Sequence, residues 1–384
     1  MRGRVLVIDH RVPTPDQDSG SASAFAYLQI LAGAGFDVTF APANLTRAGR
    51  YSRALRRLGI RTLAAPFWSS LEQVIQHVAP RCDVLLLYRG AVASQVFDVA
   101  RSVAPAAKIV FHPVDVHFLR MERQAVLTGA PADAAAAQAM RGIELDLMRR
   151  ADATIVVSTH ELAILRELVP GATVHRIPIL REPPAPRRRW LQWPGSRVAT
   201  SEPQDPGGRR DVLFIGGYEH LPNVDAVLWF VREVWPLIRA RGGAQRFVIA
   251  GANVPAEIAA LAADDIEVRG YVPELAPLFG ACRLSVAPLR YGGGIKGKIV
   301  SSLSYGVPVV ASSIAAEGME LQHEESILVA DTPHDIADQV IRLGRDDALW
   351  RRLSRNGHQA FLDRFSLAAG APRVLAVFDG LVRR

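Results

Sequence analysis

The sequence predicts an α/β protein made of two Rossmann-like domains, each built on a doubly wound parallel sheet. Continuous apolar runs of strand length alternate with segments of helical periodicity, which is the order of βαβ units. The run Arg4–Asp9 is paralleled by Asp211–Gly217 in the second half. Residues 181–210 interrupt this order with prolines, arginines and two tryptophans, a composition typical of an interdomain linker.

The first half, residues 1–180, is predicted to form one domain. Its first strand, Arg4–Asp9, is an apolar run of the kind that is buried on both faces of a sheet. A helix at Ala22–Ala34 leads into a second strand at Gly35–Phe40. Because no Gly-x-Gly-x-x-Gly joins these elements, we expect no nicotinamide or flavin cofactor. Further elements are predicted here, namely strands at 82–89, 108–117 and 153–158 and a helix at 144–151.

The second half, residues 211–365, restarts the same succession. A strand at Phe247–Gly251 corresponds to Asp37–Phe40, and a strand at Cys282–Ala287 corresponds to Cys82–Leu87. Two halves of similar length and equal order are what twin Rossmann-like domains require.

Composition indicates a globular protein whose ligands are anionic. The chain has 384 residues, 49% of them hydrophobic, and a formal net charge of +7. Such a charge suits an anionic ligand, a membrane surface or nucleic acid, but no nucleic-acid-binding motif is present, so nucleic acid is not an expected partner.

No apolar run approaches the ~18 residues of a membrane span, and the N-terminus lacks the apolar run of a signal peptide. We expect a cytoplasmic protein, with peripheral contact at the inner face of the cytoplasmic membrane as an open alternative.

The segment 288–318 carries the clearest functional signal. A strand end is followed by glycines at 292–294, a helix beginning near Gly297 and a second strand. Lys296 and Lys298 flank the helix start, although the chain has only three lysines among its 45 basic residues. Glycine amides, a helix N-terminus and two lysines together are typical of a phosphate or diphosphate site.

Two other interpretations of this loop exist. Gly292-x4-Gly297-Lys298 approaches a nucleoside-triphosphatase loop, but the next residue is Ile299, which has no hydroxyl for Mg²⁺. A glycine turn with incidental lysines is the other alternative.

Polar residues also gather where strands of the first half end. Asp18, Ser19, Gly20 and Ser21 precede a helix, where they form either an N-cap or part of a ligand site. Arg89 ends a predicted strand, and His112, Asp115, His117 and Arg120 cluster at the end of the next. Ligands of open α/β sheets bind at this edge.

The stretch 47–61 has six arginines and no acidic residue. Arg50, Arg53, Arg57 and Arg61 fall at helical spacing and are predicted to share one face. This face is either solvated surface or a contact for anionic lipid headgroups or a lipid-diphosphate acceptor.

Arg290–Lys298, followed by Tyr305–Val310 and Ala316–Gly318, resembles the donor-site signature of the family 4 glycosyltransferases. The resemblance implies the GT-B fold, in which two Rossmann-like domains face each other across a cleft. It also implies a nucleotide-sugar donor bound mainly by the C-terminal domain, 211–365, and a final helix, 366–384, that crosses back onto the N-terminal domain.

The resemblance implies roles for individual residues. His117, with Asp115, would contact the donor sugar, and Lys298 would act on the diphosphate during the reaction. We also expect the 18–21 loop, Arg89 and Arg120 to lie on the acceptor side. The remaining donor-site candidates are Gly216, Gly217, His220, Asn223, Arg269, Tyr271, Arg290, Gly292, Gly293, Gly294, Ile295, Lys296, Ser301, Ser302 and Glu317.

The chain departs from the family at a pair of glutamates that many members carry. Gly293 and Ser301 stand at these positions, and the second glutamate usually holds the nucleotide ribose. Ser301 or Ser302 would then supply a hydroxyl, and Glu317 would compensate from the next loop.

The predicted function is a retaining glycosyltransferase that needs no metal and no cofactor. Its partners would be a nucleotide-sugar and a glycan, lipid-linked or other cell-envelope acceptor. Two alternatives stay open, a sugar-nucleotide epimerase or hydrolase on the same fold and a catalytically silent nucleotide-sugar-binding subunit.

Overall fold

The computed structural model describes residues 2–184, 205–242 and 246–382. Most of the predicted linker, residues 185–204, lies outside the described residues. The described chain forms two α/β domains, each with one parallel sheet.

The N-terminal domain contains a seven-stranded parallel sheet in the order β3-β2-β1-β4-β5-β6-β7. Its strands are β1 (Arg4–Asp9), β2 (Asp37–Pro42), β3 (Arg61–Thr62), β4 (Val84–Tyr88), β5 (Lys108–His112), β6 (Ala153–Val156) and β7 (Val174–Arg176). Its α-helices are α1 (Ser19–Gly33), α2 (Gly49–Arg57), α3 (Leu71–Val78), α4 (Gly90–Val103), α5 (His117–Thr128), α6 (Pro131–Arg150) and α7 (Thr159–Leu168).

The C-terminal domain contains a six-stranded parallel sheet in the order β10-β9-β8-β11-β12-β13. Its strands are β8 (Asp211–Ile215), β9 (Phe247–Ala250), β10 (Ile266–Gly270), β11 (Cys282–Ala287), β12 (Val309–Ala311) and β13 (Leu328–Val329). The α-helices of this half are α8 (Leu221–Trp229), α9 (Trp235–Ala240), α10 (Ala256–Ala259), α11 (Leu275–Ala281), α12 (Gly297–Ser304), α13 (Ser313–Ala316), α14 (Pro333–Arg345), α15 (Asp347–Arg364) and α16 (Leu367–Leu381). A π-helical turn, Phe230–Val234, joins α8 to α9.

Helices cover both faces of each sheet, which explains the continuous apolar strands in the sequence. All five residues of β4 are buried, and so are all six of β11. In both sheets the strand order reverses beside the first strand, between β1 and β4 and between β8 and β11. Loops diverge at such a reversal and leave a crevice at the carboxyl ends of the strands, where ligands bind. The twin Rossmann-like architecture predicted from the sequence is confirmed.

The basic stretch differs from its prediction at one residue. Helix α2 ends at Arg57, and Gly59 follows in a left-handed conformation with φ of +77°. Such a residue terminates a helix. Arg61 therefore lies on β3, where its guanidinium approaches the Thr39 hydroxyl at 3.4 Å, and it does not share the helical face of Arg53 and Arg57.

The last helix, α16, returns to the N-terminal domain, as the resemblance implied. Phe378 is fully buried there and contacts the ring of Phe36 edge-on, with ring centroids 6.3 Å apart. Where the chain crosses, the Ser366 region pairs in parallel with Arg181. The N-terminal domain is thus completed by the final residues of the chain.

Candidate functional site

The two sheets present their carboxyl edges to a cavity of about 360 Å³ that both domains line. The N-terminal domain contributes the loops after β1 and β4 and the start of α1. The C-terminal domain contributes the loop after β8 and the glycine–lysine loop that leads into α12. This is the crevice expected from the strand order.

Lys296 and Lys298 lie at the cleft end of α12. The Lys296 ammonium donates to the carbonyl oxygens of Gly293 (2.9 Å) and Gly294 (2.7 Å), and Lys298 donates to the Asn223 amide oxygen at 2.7 Å. Neither lysine forms an ion pair with a described carboxylate. The N-cap residue Lys296 makes no side-chain hydrogen bond to the first turn of α12, and the first two residues of that turn, Gly297 and Lys298, line the same cavity.

The surroundings of the two lysines disfavour their charged forms in the absence of a bound anion. Burial lowers the pKa of Lys296 to about 8, although Glu161 and Glu317 partly offset it. Burial and the charge of Lys296 lower the pKa of Lys298 to about 7. A bound phosphate group would favour the charged form of both lysines.

The glycines of the loop serve a close approach between the domains. A Cβ at Gly297 would lie 2.0 Å from the Ser19 hydroxyl, and one at Gly293 would lie 2.9 Å from an Asp115 carboxylate oxygen. Gly294, with φ of +57°, also packs against Asp115. The loop therefore contacts the opposite domain as well as the cavity, a role that the sequence analysis did not anticipate.

Asp115 lines the cleft, and His117 lies behind it. Arg120 donates to Asp115 at 2.9 Å, and the His117 Nε2 atom lies 3.5 Å from the other carboxylate oxygen. Burial alone would raise the pKa of Asp115, but Arg120 and His117 outweigh it and hold that pKa well below its usual value. Asp115 is therefore a stable anion facing the lysine loop.

Glu144 of α6 fixes the orientation of His117. It is fully buried and accepts from the His117 Nδ1 atom at 2.9 Å and from the backbone N–H groups of His117 (3.2 Å) and Phe118 (3.1 Å). Glu144 thus caps the start of α5 and holds the imidazole through one side chain. Burial disfavours the imidazolium, but Asp115 and Glu144 outweigh it and raise the pKa of His117.

On the N-terminal wall of the cleft, the buried carboxylate of Asp9 at the end of β1 binds two neighbouring side chains. One of its oxygens accepts from Arg89 Nε at 2.8 Å and from His10 Nδ1 at 2.9 Å. Burial opposes the charge, yet Arg89 and His10 lower the pKa of Asp9 to about 2. Arg89 adopts φ of +61°, a strained conformation for a non-glycine residue and one often kept at functional sites.

Asp18 is the N-cap of α1, as one of the two predicted alternatives has it. Its carboxylate accepts from the Ser21 backbone N–H at 2.7 Å and from the Ser21 hydroxyl at 2.6 Å. Ser19 and Gly20 line the cleft together with Asp18, whereas Ser21 is buried. The cap thereby sets the position of a loop that faces the cavity.

A polar contact spans the mouth of the cleft. The Tyr271 hydroxyl donates to Asp16, and Arg50 donates to Asp16 at 2.5 Å and to the Tyr271 hydroxyl at 2.9 Å. Arg11 reaches across to Glu219 at 3.2 Å. These contacts join the loop after β10 and the loop after β8 to the N-terminal domain.

Most predicted site residues meet at the cleft. Those that line it are Asp18, Ser19, Gly20, Arg89, Asp115, Gly216, Gly217, His220, Asn223, Tyr271, Gly293, Ile295, Lys296, Lys298 and Ser301. His117 and Arg120 do not line the cleft but contact Asp115, which does. Gly292 and Gly294 belong to the glycine–lysine loop itself.

Four predicted donor residues lie elsewhere. Arg269 pairs with Glu267 near the surface, and Arg290 pairs with Asp225. The buried Ser302 hydroxyl bonds to the Ser285 hydroxyl at 2.6 Å. Glu317 pairs with Arg123 of the N-terminal domain at 2.8 Å, so it forms a contact between the domains and does not line the cleft.

Sequence reasoning did not single out Glu144, the Asp9–His10 pair or Arg181. Glu144 lies in the middle of a long helix and gives no local signal. Asp9 ends a strand at the cleft edge and His10 follows it. Because ligands of open α/β sheets bind at this edge, their position could have identified them as site candidates. Within residues 2–184, 205–242 and 246–382, no three His, Cys, Asp or Glu side chains are grouped so that they could hold a metal ion.

Comparison with known proteins agrees with this architecture. Residues 209–346 match the family described as glycosyl transferases group 1. No curated protein sequence gives a significant match. This match to the C-terminal domain is consistent with the family 4-type glycosyltransferase that the sequence predicts.

Solved structures share the fold over the whole chain. Sucrose-phosphate synthase from Thermosynechococcus elongatus is 16% identical with a TM-score of 0.72, and 98% of each chain is covered. HepE of Anabaena in complex with UDP-glucose is 13% identical with a TM-score of 0.69, covering 98% of this chain and 100% of that one. TarM of S. aureus in complex with UDP and alpha-GlcNAc-glycerol is 11% identical with a TM-score of 0.71, covering 100% of both. At these identities the similarity shows the GT-B fold.

The contact between Glu144 and His117 can be tested by replacing Glu144 with glutamine. Glu144→Gln keeps an oxygen that accepts from the imidazole but removes the negative charge, so we expect the pKa of His117 to fall. The measurement is a pH titration of the histidine side chains by long-range ¹H–¹⁵N NMR. Asp146→Asn on the exposed face of the same helix is the control and should leave the titration of His117 unchanged. An unchanged His117 titration in Glu144→Gln would contradict the assignment.

Proposed function

We propose that this chain, whose residues 209–346 match the group 1 glycosyl transferases and whose fold is GT-B, transfers a sugar from a nucleotide-sugar donor to an acceptor hydroxyl. The acceptor that the composition and the basic N-terminal domain favour is a glycan or a lipid-linked molecule of the cell envelope. We propose that the transfer retains the anomeric configuration and needs neither a metal ion nor a cofactor.

The observation that carries this proposal is the pair of lysines without carboxylate partners. Lys296 and Lys298 meet at the uncapped start of α12, on the wall of a cleft between two Rossmann-like domains. A diphosphate placed there receives backbone N–H groups, the positive end of the helix dipole and two ammonium groups. HepE and TarM, which share the fold, were solved with UDP-glucose and with UDP.

These groups would act on the leaving diphosphate. As the bond between the sugar and the diphosphate breaks, negative charge grows on the phosphate oxygen, and preorganised cations stabilise it without reorganising. A divalent cation serves this purpose in other enzymes. In our proposal Lys296 and Lys298 provide the neutralisation here.

The opposite wall would orient the sugar. Asp115 lies close to Gly293 across the cleft, and its carboxylate is held by Arg120 and His117. A fixed carboxylate can accept hydrogen bonds from the hydroxyl groups of a sugar. The acceptor would lie next to the sugar, toward Arg89 and the 18–20 loop. The close contacts between the domains would exclude water, so that the acceptor hydroxyl is the group that reacts.

The first test is binding of UDP-, GDP-, TDP- and CMP-sugars, with ATP and NAD as controls, measured by thermal shift. We expect stabilisation by one class of nucleotide-sugar, because a ligand at about a hundred times its dissociation constant stabilises by roughly 2.7 kcal/mol. Stabilisation by ATP alone would favour a nucleoside triphosphatase. A shift followed by donor breakdown without any acceptor would favour the hydrolase or epimerase. Binding without turnover would favour a silent subunit, and no binding at all would contradict the proposal.

The binding of the donor should depend on pH. In the empty cleft the pKa of Lys298 is about 7 and that of Lys296 about 8, and a bound diphosphate raises both. Binding should therefore take up protons between about pH 7 and pH 9, and affinity should fall as the pH rises through this window. Calorimetry in two buffers of different ionisation enthalpy measures the uptake, and equal heats in both buffers would exclude it.

Replacement of Lys298 tests the catalytic part of the proposal. We expect Lys298→Ala to reduce turnover at least about a hundredfold, the scale seen when one electrostatic partner of a transition state is removed. Lys108→Ala is the matched control, because Lys108 is paired with Asp152 at 2.9 Å away from the cleft. Activity that is equal in the two variants would refute the role of Lys298.

The N-terminal domain also carries an α2 basic surface, which we define by the exposed side chains of Arg47, Arg53, Arg56, Arg57 and Phe67. Arg53, Arg56 and Arg57 have no ion-pair partner among the described residues, and the Arg47 guanidinium lies 6.0 Å from the centre of the Phe67 ring. Phe67 is 76% exposed. No helix in the described ranges has the length and apolar character to cross a bilayer. We propose that this surface holds the protein peripherally on an anionic membrane, beside a lipid-linked acceptor.

Vesicle binding tests the α2 basic surface. Each arginine near an anionic surface contributes about 1 kcal/mol, so replacing Arg53, Arg56 and Arg57 with glutamine should weaken binding to phosphatidylglycerol vesicles by roughly a hundredfold. Sedimentation with vesicles measures it, and phosphatidylcholine vesicles should bind neither protein. The same change at Arg351, Arg352 and Arg355, exposed on α15, controls for net charge. Equal losses in the two triple variants would contradict a specific surface.

A further inference from the structure

Arg181 lies where the chain crosses between the domains, and its backbone is held firmly. Its N–H donates to the Phe365 carbonyl oxygen at 2.9 Å, and its carbonyl oxygen accepts from Leu367 N–H at 3.1 Å. The preceding Leu180 fills the space in front of Gly370, where a Cβ would lie 2.1 Å from a leucine methyl group. From this fixed position the Arg181 side chain lines the cleft.

The Arg181 guanidinium has no ion pair and no side-chain hydrogen bond within the described ranges. Nearby carboxylates are already engaged, because Asp18 accepts from the Ser21 N–H and hydroxyl, and Glu182 accepts from Gln29 at 2.8 Å. Burial lowers the pKa of Arg181, and the nearby Tyr305 and Asp18 offset only part of the effect. Arg181 is half-buried, and a charge that is partly removed from water normally has a partner. The partner of Arg181 is therefore to be sought in a ligand.

Arg181 and the lysine pair belong to different segments of the cleft wall. Arg181 lies where the chain crosses between the domains, whereas Lys296 and Lys298 lie at the start of α12, and all three residues line the cleft. The cleft therefore has a cationic side chain on a segment separate from the lysine loop.

We propose that Arg181 is the centre of a second anion site, which takes a carboxylate or phosphate group while the donor diphosphate occupies the lysine site. This inference rests on the proposed function, since it assigns a further recognition element to the same cleft. The planar guanidinium pairs with such groups through two parallel hydrogen bonds. The anion has two possible sources, an acidic sugar on the donor or a phosphate on the acceptor.

The donor source is tested by comparing UDP-glucose with UDP-glucuronic acid, which differ by one carboxylate. If the thermal-shift panel shows that the protein binds GDP-sugars, GDP-mannose and GDP-mannuronic acid are compared in place of the two UDP-sugars. An anion from the donor predicts that the acidic sugar binds roughly tenfold to a hundredfold more tightly, the usual strength of a charge-assisted hydrogen bond. Arg181→Met should abolish this preference and leave the affinity for the neutral sugar nucleotide nearly unchanged.

The acceptor source is tested by titrating inorganic phosphate and pyrophosphate into the protein saturated with UDP. Binding of either anion to the wild-type complex and its loss in Arg181→Met would assign the site to an acceptor phosphate. Arg176→Met is the matched control, because it removes the same charge from the same segment while its guanidinium pairs with Glu320 outside the cleft. This control should retain whichever preference the wild-type protein shows.

The inference is overturned if neither anion source shows a preference in the wild-type protein, or if a preference survives in Arg181→Met. Failure of the proposed function gives a different result, namely no nucleotide binding by the wild-type protein. In that case phosphate is titrated into the Lys296→Ala, Lys298→Ala double variant with and without Arg181→Met. Phosphate binding that depends on Arg181 would then support the second site by itself, and its absence would reject it.

Discussion

The close approach of the glycine loop to the N-terminal domain is the constraint on which the cleft depends. Gly293 and Gly297 stand where a single added carbon would collide with Asp115 or Ser19, and Gly318 does the same opposite Ser158. Any other residue at these points would require the opposing side chains or the backbone to move. Because the walls are close, the lysines on one side and the Asp115 cluster on the other act on the same small volume. Desolvation at this junction lowers the pKa of Lys296 and Lys298 and strengthens whatever charge interactions a ligand brings.

The charged residues on the two walls of the cleft differ in their partners. On the N-terminal side the carboxylates have fixed partners, since Asp9 is bound to Arg89 and His10, and Asp115 to Arg120 and His117. On the C-terminal side the lysines donate only to neutral oxygens. The carboxylates are therefore already paired, whereas the lysines remain available to pair with a ligand. This asymmetry is what the proposed donor site, opposite a surface that orients the sugar, requires.

Much of the fold could be predicted from the sequence because local patterns encode it. Strand β1 and strand β11 have the predicted bounds, and the start of α12 at Gly297 follows from the glycines and lysines before it. The prediction that Arg61 lies on the helical face was wrong, because Gly59 adopts a left-handed conformation and the helix ends at Arg57, before it. Residue spacing alone does not reveal that conformation.

Contacts between distant parts of the chain could not be predicted from the sequence either. Glu144 meets His117 only because α6 packs against α5, and Glu317 meets Arg123 only because the domains close. Periodicity shows which face of a helix is buried but not what that face touches.

The return of α16 to the N-terminal domain has a consequence for biosynthesis. The residues that form the C-terminal domain are contiguous, whereas the N-terminal domain needs Phe378 to cover Phe36 and Ser366 to pair with Arg181. The part of the chain that leaves the ribosome first is thus the last to be completed. Until the final helix emerges, a patch around Phe36 stays uncovered on a nascent domain that otherwise has its whole sheet.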